Sequence, residues 1–280
     1  MDRRVCLLGD RGVIELAGAD AAGFLQRLIT NSALNIPMGE GRFAGFLTPQ
    51  GKLLFDFFVV PLPEGPEAGY LIDCASEQTA DLVKRLNLHK MRAKIAIADK
   101  SENFAAAAIF GGEAPAGLEG LIYRDMRAPH MGLRVIVPRG DALARLDDAG
   151  EAAYEAHRIA QGVPKGGIDF AYGDAFVHDV NLDLMNGVDF KKGCYVGQEV
   201  VARVHHRNSA RKRIVKIHFD GPAPAQGTQI TAGETNIGQV GSTAGVEGLA
   251  MVRLDRLEEA RAAGIALKAG DVAVDVTLPD

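Results

Sequence analysis

Short apolar runs of two periodicities, broken by glycine and proline, run the length of this chain. Val13-Ile14-Glu15-Leu16 predicts a strand. Gly18-Ala19-Asp20 then offers an N-cap for a helix that carries Phe24, Leu25, Leu28 and Ile29 at helical spacing and ends near Thr30-Asn31. Residues 41–47 and 53–60 predict two strands joined by the turn Thr48-Pro49-Gln50-Gly51-Lys52. Tyr70–Cys74 predicts another strand, Ser76 a cap for a helix burying Leu82, Val83 and Leu86, and Lys94–Ile97 a further strand. Leu133–Pro138 reads as strand, and residues 142–161 as helix, interrupted near Asp147–Gly150 and stopped by Gly162. After about residue 210 the texture changes to short strands punctuated by Gly-Pro, Gly-Thr and Gly-Ser pairs, which predicts a small β-rich C-terminal domain. Mixed strands and helices with no repeat of 20–50 residues give an α+β class and exclude solenoids and propellers.

The 280 residues allow one large domain or two to three small ones, and 47% hydrophobic with 24% charged residues is an ordinary globular composition. A formal net charge of −5 opposes nonspecific capture by a phosphate backbone. The three cysteines, Cys6, Cys74 and Cys194, have neither disulfide-framework nor metal-ligand spacing, which points to a reducing compartment. With neither a signal-like leader nor an apolar run of about 18 residues, the expectation is a cytoplasmic protein that does not span a membrane. The basic run 207–213 reads as a solvated domain boundary or, alternatively, as a contact for an anionic ligand or RNA.

The densest unusual segment is residues 189–207. Gly193 and Gly197 bracket a cysteine and a tyrosine, and lysines beside a thiol favour thiolate. On residue chemistry alone Cys194 is either a reactive group or a small inert hydrophobe. His205 and His206 are adjacent, and in a strand adjacent side chains face opposite sides, a poor geometry for one metal. Tyr154 and Arg158, at i and i+4 on a helix, either line a cavity or pack.

Lys192-Gly193-Cys194-Tyr195-Val196-Gly197-Gln198-Glu199 resembles the K-G-C-Y-x-G-Q-E signature of the YgfZ family of folate-binding proteins. Phe24-Leu25-Gln26 with Thr30-Asn31, followed by Phe46-Leu47-Thr48-Pro49-Gln50-Gly51-Lys52, resembles a pattern shared with the glycine-cleavage aminomethyltransferases. Asp125-Met126-Arg127 and Gly132-Leu133-Arg134 resemble that family's D-x-R and G-x-R segments. The resemblance implies an aminomethyltransferase-like ring of two α+β domains with a small C-terminal β-barrel and tetrahydrofolate in a central hole. The expected domains are 1–45 with 140–210, a ferredoxin-like 46–139, and the barrel 211–280. It also implies a role in iron–sulfur cluster assembly or repair, with transient cluster-protein partners and an influence on tRNA modification.

Within that frame Cys194 is the expected reactive or cluster-contacting group, with Lys192 tuning its ionisation. One cysteine cannot supply the roughly four thiolates of a cluster, so a cluster would be shared with a partner. A reduced folate needs an acceptor, an apolar slot and a cation for its carboxylates, and the candidates are Asp56, Phe46 or Phe57, and Arg203 or Arg207. Tyr195, Gln198 and Glu199 complete the expected folate site. The rival is a tetrahydrofolate-dependent one-carbon transferase. The aminomethyltransferases carry an acidic pair where this chain reads Phe55-Asp56, and the missing carboxylate favours an accessory factor over an enzyme.

Overall fold

The computed structural model describes residues 3–64, 68–140, 148–207 and 209–279. Two antiparallel sheets and a closed barrel carry the fold. The first sheet has five strands in the order β3-β4-β5-β2-β6. These are β2 (Arg11–Ala17), β3 (Arg42–Leu47), β4 (Leu53–Pro61), β5 (Gly69–Ala75) and β6 (Ala96–Asp99). The second sheet has the order β1-β7-β9-β8, from β1 (Arg4–Leu8), β7 (Phe104–Phe110), β8 (Leu121–Arg124) and β9 (Leu133–Pro138).

Side-chain alternation along β4 decides which layer each residue joins. Phe55, Phe57 and Val59 face the helix side, where they pack with Phe24, Phe46 and Leu82 from α1 (Ala21–Gln26), β3 and α2 (Thr79–Lys90). Asp56, Phe58 and Val60 point the other way, and Phe58 and Val60 join Leu8, Tyr123 and Ile136 between the two sheets. The strand is buried on both faces, which is why it reads as a nearly unbroken apolar run.

Several local expectations change. Asp20 sits at the N-terminal boundary of α1 but makes no capping bond; its carboxylate accepts the Lys94 N–H at 2.7 Å instead. The helix stops at Gln26, before Thr30 and Asn31. Ser76 does not cap α2: residues 76–78 form a 3-10 turn, and the helix begins at Thr79. α3 (Glu151–Ala160) starts after Gly150 and is closed by Gly162 at φ 72°. The helix expected from residue 142 lies outside the described residues as far as 147. The domain division expected at 45/46 cuts the β3–β4 hairpin, in which Phe43 pairs with Phe58 and Gly45 with Asp56. Strands that satisfy each other's backbone groups cannot be assigned to different domains.

The chain leaves the sheets through α4 (Gln198–Arg207) and enters a closed barrel of β10 (Lys212–Phe219), β11 (Gln229–Ala232), β12 (Thr235–Ala244), β13 (Glu247–Arg253), β14 (Leu267–Ala269) and β15 (Val272–Thr277), in the order β10-β13-β12-β11-β14-β15. Closure removes free sheet edges and encloses a separate core of Val215, Ile230, Val240 and Val252. α5 (Leu254–Ala262) packs Leu257 and Ala260 against it.

Candidate functional site

A cavity of about 210 Å³ opens where the inward faces of the two sheets meet α3 and the segment 164–172. Asp56 of β4, Arg11 beside Asp10, Arg134 of β9 and Tyr154 and Arg158 of α3 line it, with Leu8, Ile168 and Tyr172 supplying apolar wall. Its floor is a charged cluster inside an otherwise apolar interface. Asp73 of β5 accepts Arg11 Nε at 2.6 Å, Arg134 Nε at 2.9 Å and the Tyr123 hydroxyl at 2.7 Å. Arg134 Nη2 also lies 2.7 Å from Asp73 Oδ2, without hydrogen-bond alignment. Burial opposes the Asp73 anion, but the Arg11 and Arg134 guanidiniums outweigh it and hold the carboxyl below its usual range.

The cations of the wall are already matched by protein carboxylates. Arg127 grips Asp125 through two bonds of 2.9 and 2.6 Å, Arg158 meets Glu155 at 2.5 Å and Asp169 at 3.1 Å, and Lys165 meets Asp10 at 2.8 Å. Asp56 differs. It makes no ion pair among the described residues, and its Oδ1 accepts a hydrogen bond from Tyr172 at 3.1 Å. Burial raises its carboxyl, an effect that Arg11, Arg127 and the Tyr172 bond only partly offset. A buried carboxylate without a cation is suited to a ligand edge that brings N–H donors.

Of the expected folate contacts, only Asp56 lines this cavity. Phe46 and Phe57 are 1% and 0% exposed on the opposite, helix-facing side of the sheet, because residues one apart in a strand face opposite ways. Phe55 faces that side too, stacked on Phe46 with ring centres 6.1 Å apart. A carboxylate at position 55 would therefore point into the core, so Phe55 says nothing about transfer chemistry in the cavity. Arg203 and Arg207 lie exposed on α4; Arg203 bonds Glu199 at 2.7 Å one helical turn away, and none of the three lines the cavity. Gln198 opens α4, half-buried, and lies outside the cavity lining as well. His205 and His206 sit on α4 rather than on a strand, and His205 stacks on Phe190 with ring centres 3.7 Å apart.

The segment 192–197 forms a second feature. Cys194 is exposed, whereas Cys6 and Cys74 are buried and their thiols pushed up by burial to about 12 and about 11. Lys192 does not turn toward the thiol. Its Nζ enters the protein and donates to the Ile29 carbonyl at 2.7 Å and the Asn31 carbonyl at 2.6 Å, and burial lowers its pKa to about 8. Tyr195 is buried beside it, its ring centre 5.2 Å from Nζ. Gly197, at φ 82°, lies against the Thr48–Lys52 turn so closely that a Cβ would come within 2.6 Å of the Thr48 carbonyl oxygen. The two most distinctive sequence segments thus touch.

The GCVT N-terminal domain family matches residues 9–158, and the C-terminal beta-barrel domain family of CAF17 matches residues 211–280. A human protein named iron-sulfur cluster assembly factor IBA57, mitochondrial, is 34% identical over 280 residues, covering 90% of this chain and 78% of the relative. This chain belongs to the IBA57 family. The mouse IBA57 is 33% identical with the same coverage. The IBA57 homolog of Coccidioides immitis is 36% identical over 242 residues, 76% of this chain but 56% of that relative's length. The crystal structure of the glycine cleavage system aminomethyltransferase T from Bartonella henselae superposes with a TM-score of 0.78 at 15% identity, over 99% of this chain and 85% of that one. The fold is therefore the aminomethyltransferase fold with a closed C-terminal barrel.

These relatives refine one expectation and correct another. The family they show is IBA57, related to YgfZ. The curated IBA57 relatives are named as mitochondrial proteins, which overturns the cytoplasmic expectation. Cysteine spacing does not distinguish the cytosol from the interior of an organelle that keeps thiols reduced. Among the described residues no helix is long and apolar enough to cross a membrane.

Sequence reasoning missed Asp73, Arg11, Lys165 and Tyr172. A signal existed for the first: Asp73 is a lone charge at the core-facing position of an apolar strand, as is Arg134 in Leu133–Pro138. Two such charges on different strands call for each other.

Proposed function

We propose that this protein is a tetrahydrofolate-binding accessory factor in iron–sulfur cluster assembly or repair. In this reading Asp56 holds the folate and Cys194 contacts the cluster. The cluster role rests on membership of a family whose curated relatives carry that name, together with the one exposed thiol among the three cysteines. The folate role rests on Asp56, the buried carboxylate of the cavity that has no ion pair among the described residues. The aminopyrimidinone edge of a pterin carries adjacent N–H donors that suit this acceptor, and Tyr154, Tyr172, Leu8 and Ile168 offer apolar wall to its ring. Arg203 and Arg207 lie outside the cavity, and Lys165, the lysine that lines it, is already shared among Asp10, Glu151 and Glu155, so the folate tail is left to solvent in this reading.

A cluster is cargo here rather than a resident cofactor. A single thiolate per chain means that it is held jointly with a partner or a small thiol. In the basic run 207–213, Arg213 is paired with Asp183 at 2.6 Å, whereas Arg207, Arg211 and Lys212 are exposed. Two experiments test the proposal separately. Anaerobic calorimetric titration with tetrahydrofolate should show binding that Asp56→Ala weakens. Reconstitution with ferrous iron, sulfide and glutathione should give visible cluster absorption that Cys194→Ser abolishes. No heat of binding in the first removes the folate role, and equal absorption in the second removes the role of Cys194.

A further inference from the structure

Thr30-Asn31, prominent in the sequence, plays no part in the cavity, and the structure shows what it touches. The Thr30 hydroxyl donates to the Gly187 carbonyl at 2.6 Å and accepts the Gly45 N–H at 2.7 Å. The Asn31 amide donates to the Phe43 carbonyl at 2.9 Å and the Asn186 carbonyl at 2.7 Å. The Asp189 N–H reaches the Thr30 carbonyl at 3.1 Å, and the Asp189 carboxylate accepts the backbone N–H groups of Lys191 and Lys192 at 2.8 and 3.1 Å. The two Lys192 Nζ bonds to Ile29 and Asn31 complete the set. Segment 29–31 is thus bonded both to β3 and to the segment that leads into Cys194.

We propose that Lys192, Thr30 and Asn31 form a latch that fixes the Cys194 loop, so that Lys192 is a positioning residue for the thiol rather than its charge partner. The inference rests on the cluster-contacting role of Cys194 for its purpose, though not for its geometry. Four consecutive residues alternate in a telling way. Lys192 and Tyr195 are buried, Gly193 and Cys194 are exposed, and a Cβ at Gly193 would meet nothing within 4 Å. The thiol therefore stands at the tip of a two-residue projection, anchored immediately before and after. Lys192 is 9% exposed and makes no ion pair among the described residues. Burying an ammonium on two carbonyls and the face of the Tyr195 ring is a poor way to gain stability, since an apolar side chain would fill the same space without the desolvation cost. Its geometric effect is to fix the loop just before Gly193 and Cys194, as the buried Tyr195 does just after them.

The test compares wild type with Lys192→Met and Thr30→Val, which release opposite ends of the latch. Loss of one or two buried hydrogen bonds should speed amide hydrogen exchange in residues 188–195 by about tenfold to a hundredfold, while β4 and β5 exchange as before. The pH midpoint of Cys194 alkylation should stay within about 0.3 of wild type, since the latch leaves the thiol's ionisation alone. Cluster absorption after reconstitution with iron, sulfide and glutathione, well below the melting temperature, should fall several-fold in both variants. Unchanged exchange in both variants overturns the proposal. So does a shifted alkylation midpoint with unchanged exchange, which would make Lys192 the charge partner after all. Should Lys192→Met lack a cooperative melt, Thr30→Val decides. Absence of a cluster on the wild type would remove the cluster reading while the exchange data still decide the latch.

Discussion

Replacing Asp56 by asparagine separates a ligand-binding carboxylate from a structural one. Asparagine keeps the shape and an acceptor for the Tyr172 hydroxyl, and it removes a buried charge that has no cation of its own. For the free protein the change should leave Tm unaltered or higher, because desolvation of the anion is relieved. For the folate complex it removes charge-assisted hydrogen bonding and sets an NH2 group against the pterin's N–H donors. At about 2–3 kcal/mol this weakens tetrahydrofolate binding roughly 30- to 150-fold. The sign with pH follows from the raised native carboxyl. Such a group favours the folded state below its unfolded pKa, and that contribution is lost as pH rises through the native value. The Tm advantage of Asp56→Asn should therefore be present at pH 7 and vanish toward the ordinary carboxylate range. Calorimetry gives the affinity and scanning calorimetry across pH gives the Tm. An unchanged Kd, or a variant that melts several degrees lower at pH 7, would refute the reasoning.

Asp73→Asn should do the opposite. It leaves the buried Arg11 and Arg134 without their shared anion and costs about 3–5 kcal/mol in urea denaturation. Because the native carboxyl is lowered, this stability is present at neutral pH and is lost as pH falls through the native value, so the wild-type and variant curves should converge in acid. Cys194→Ala should fold normally and bind folate as wild type does, yet fail to complement a deletion strain, since the exposed side chain leaves no cavity when truncated. Complementation by this variant would end its assigned role. Arg203→Ala should change the folate Kd by less than about twofold and Tm by about a degree, as expected for a solvent-exposed pair with Glu199.

What the sequence determined by itself is what local patterning controls. The β3–β4 hairpin follows from two apolar runs around Pro49-Gln50-Gly51, and a β-rich C-terminal domain from short, glycine-punctuated strands. The stop of α3 at Gly162 is equally local. The resemblance to known family patterns, rather than spacing, singled out Cys194 and Asp56 as candidates. Packing of the two sheets settled which face of each strand meets the cavity and which meets the helices. Phe57 follows Asp56 directly in the chain, yet the two lie in different layers, since strand pleating sends neighbours to opposite sides. The tertiary structure also decided which charges meet, for Arg11 and Asp73 come from paired strands of one sheet and Arg134 from the sheet packed against it. Lys192 shows the same limit. Proximity in sequence suggested a partner for the adjacent thiol, while burial and two distant carbonyls, Ile29 and Asn31, drew its ammonium inward.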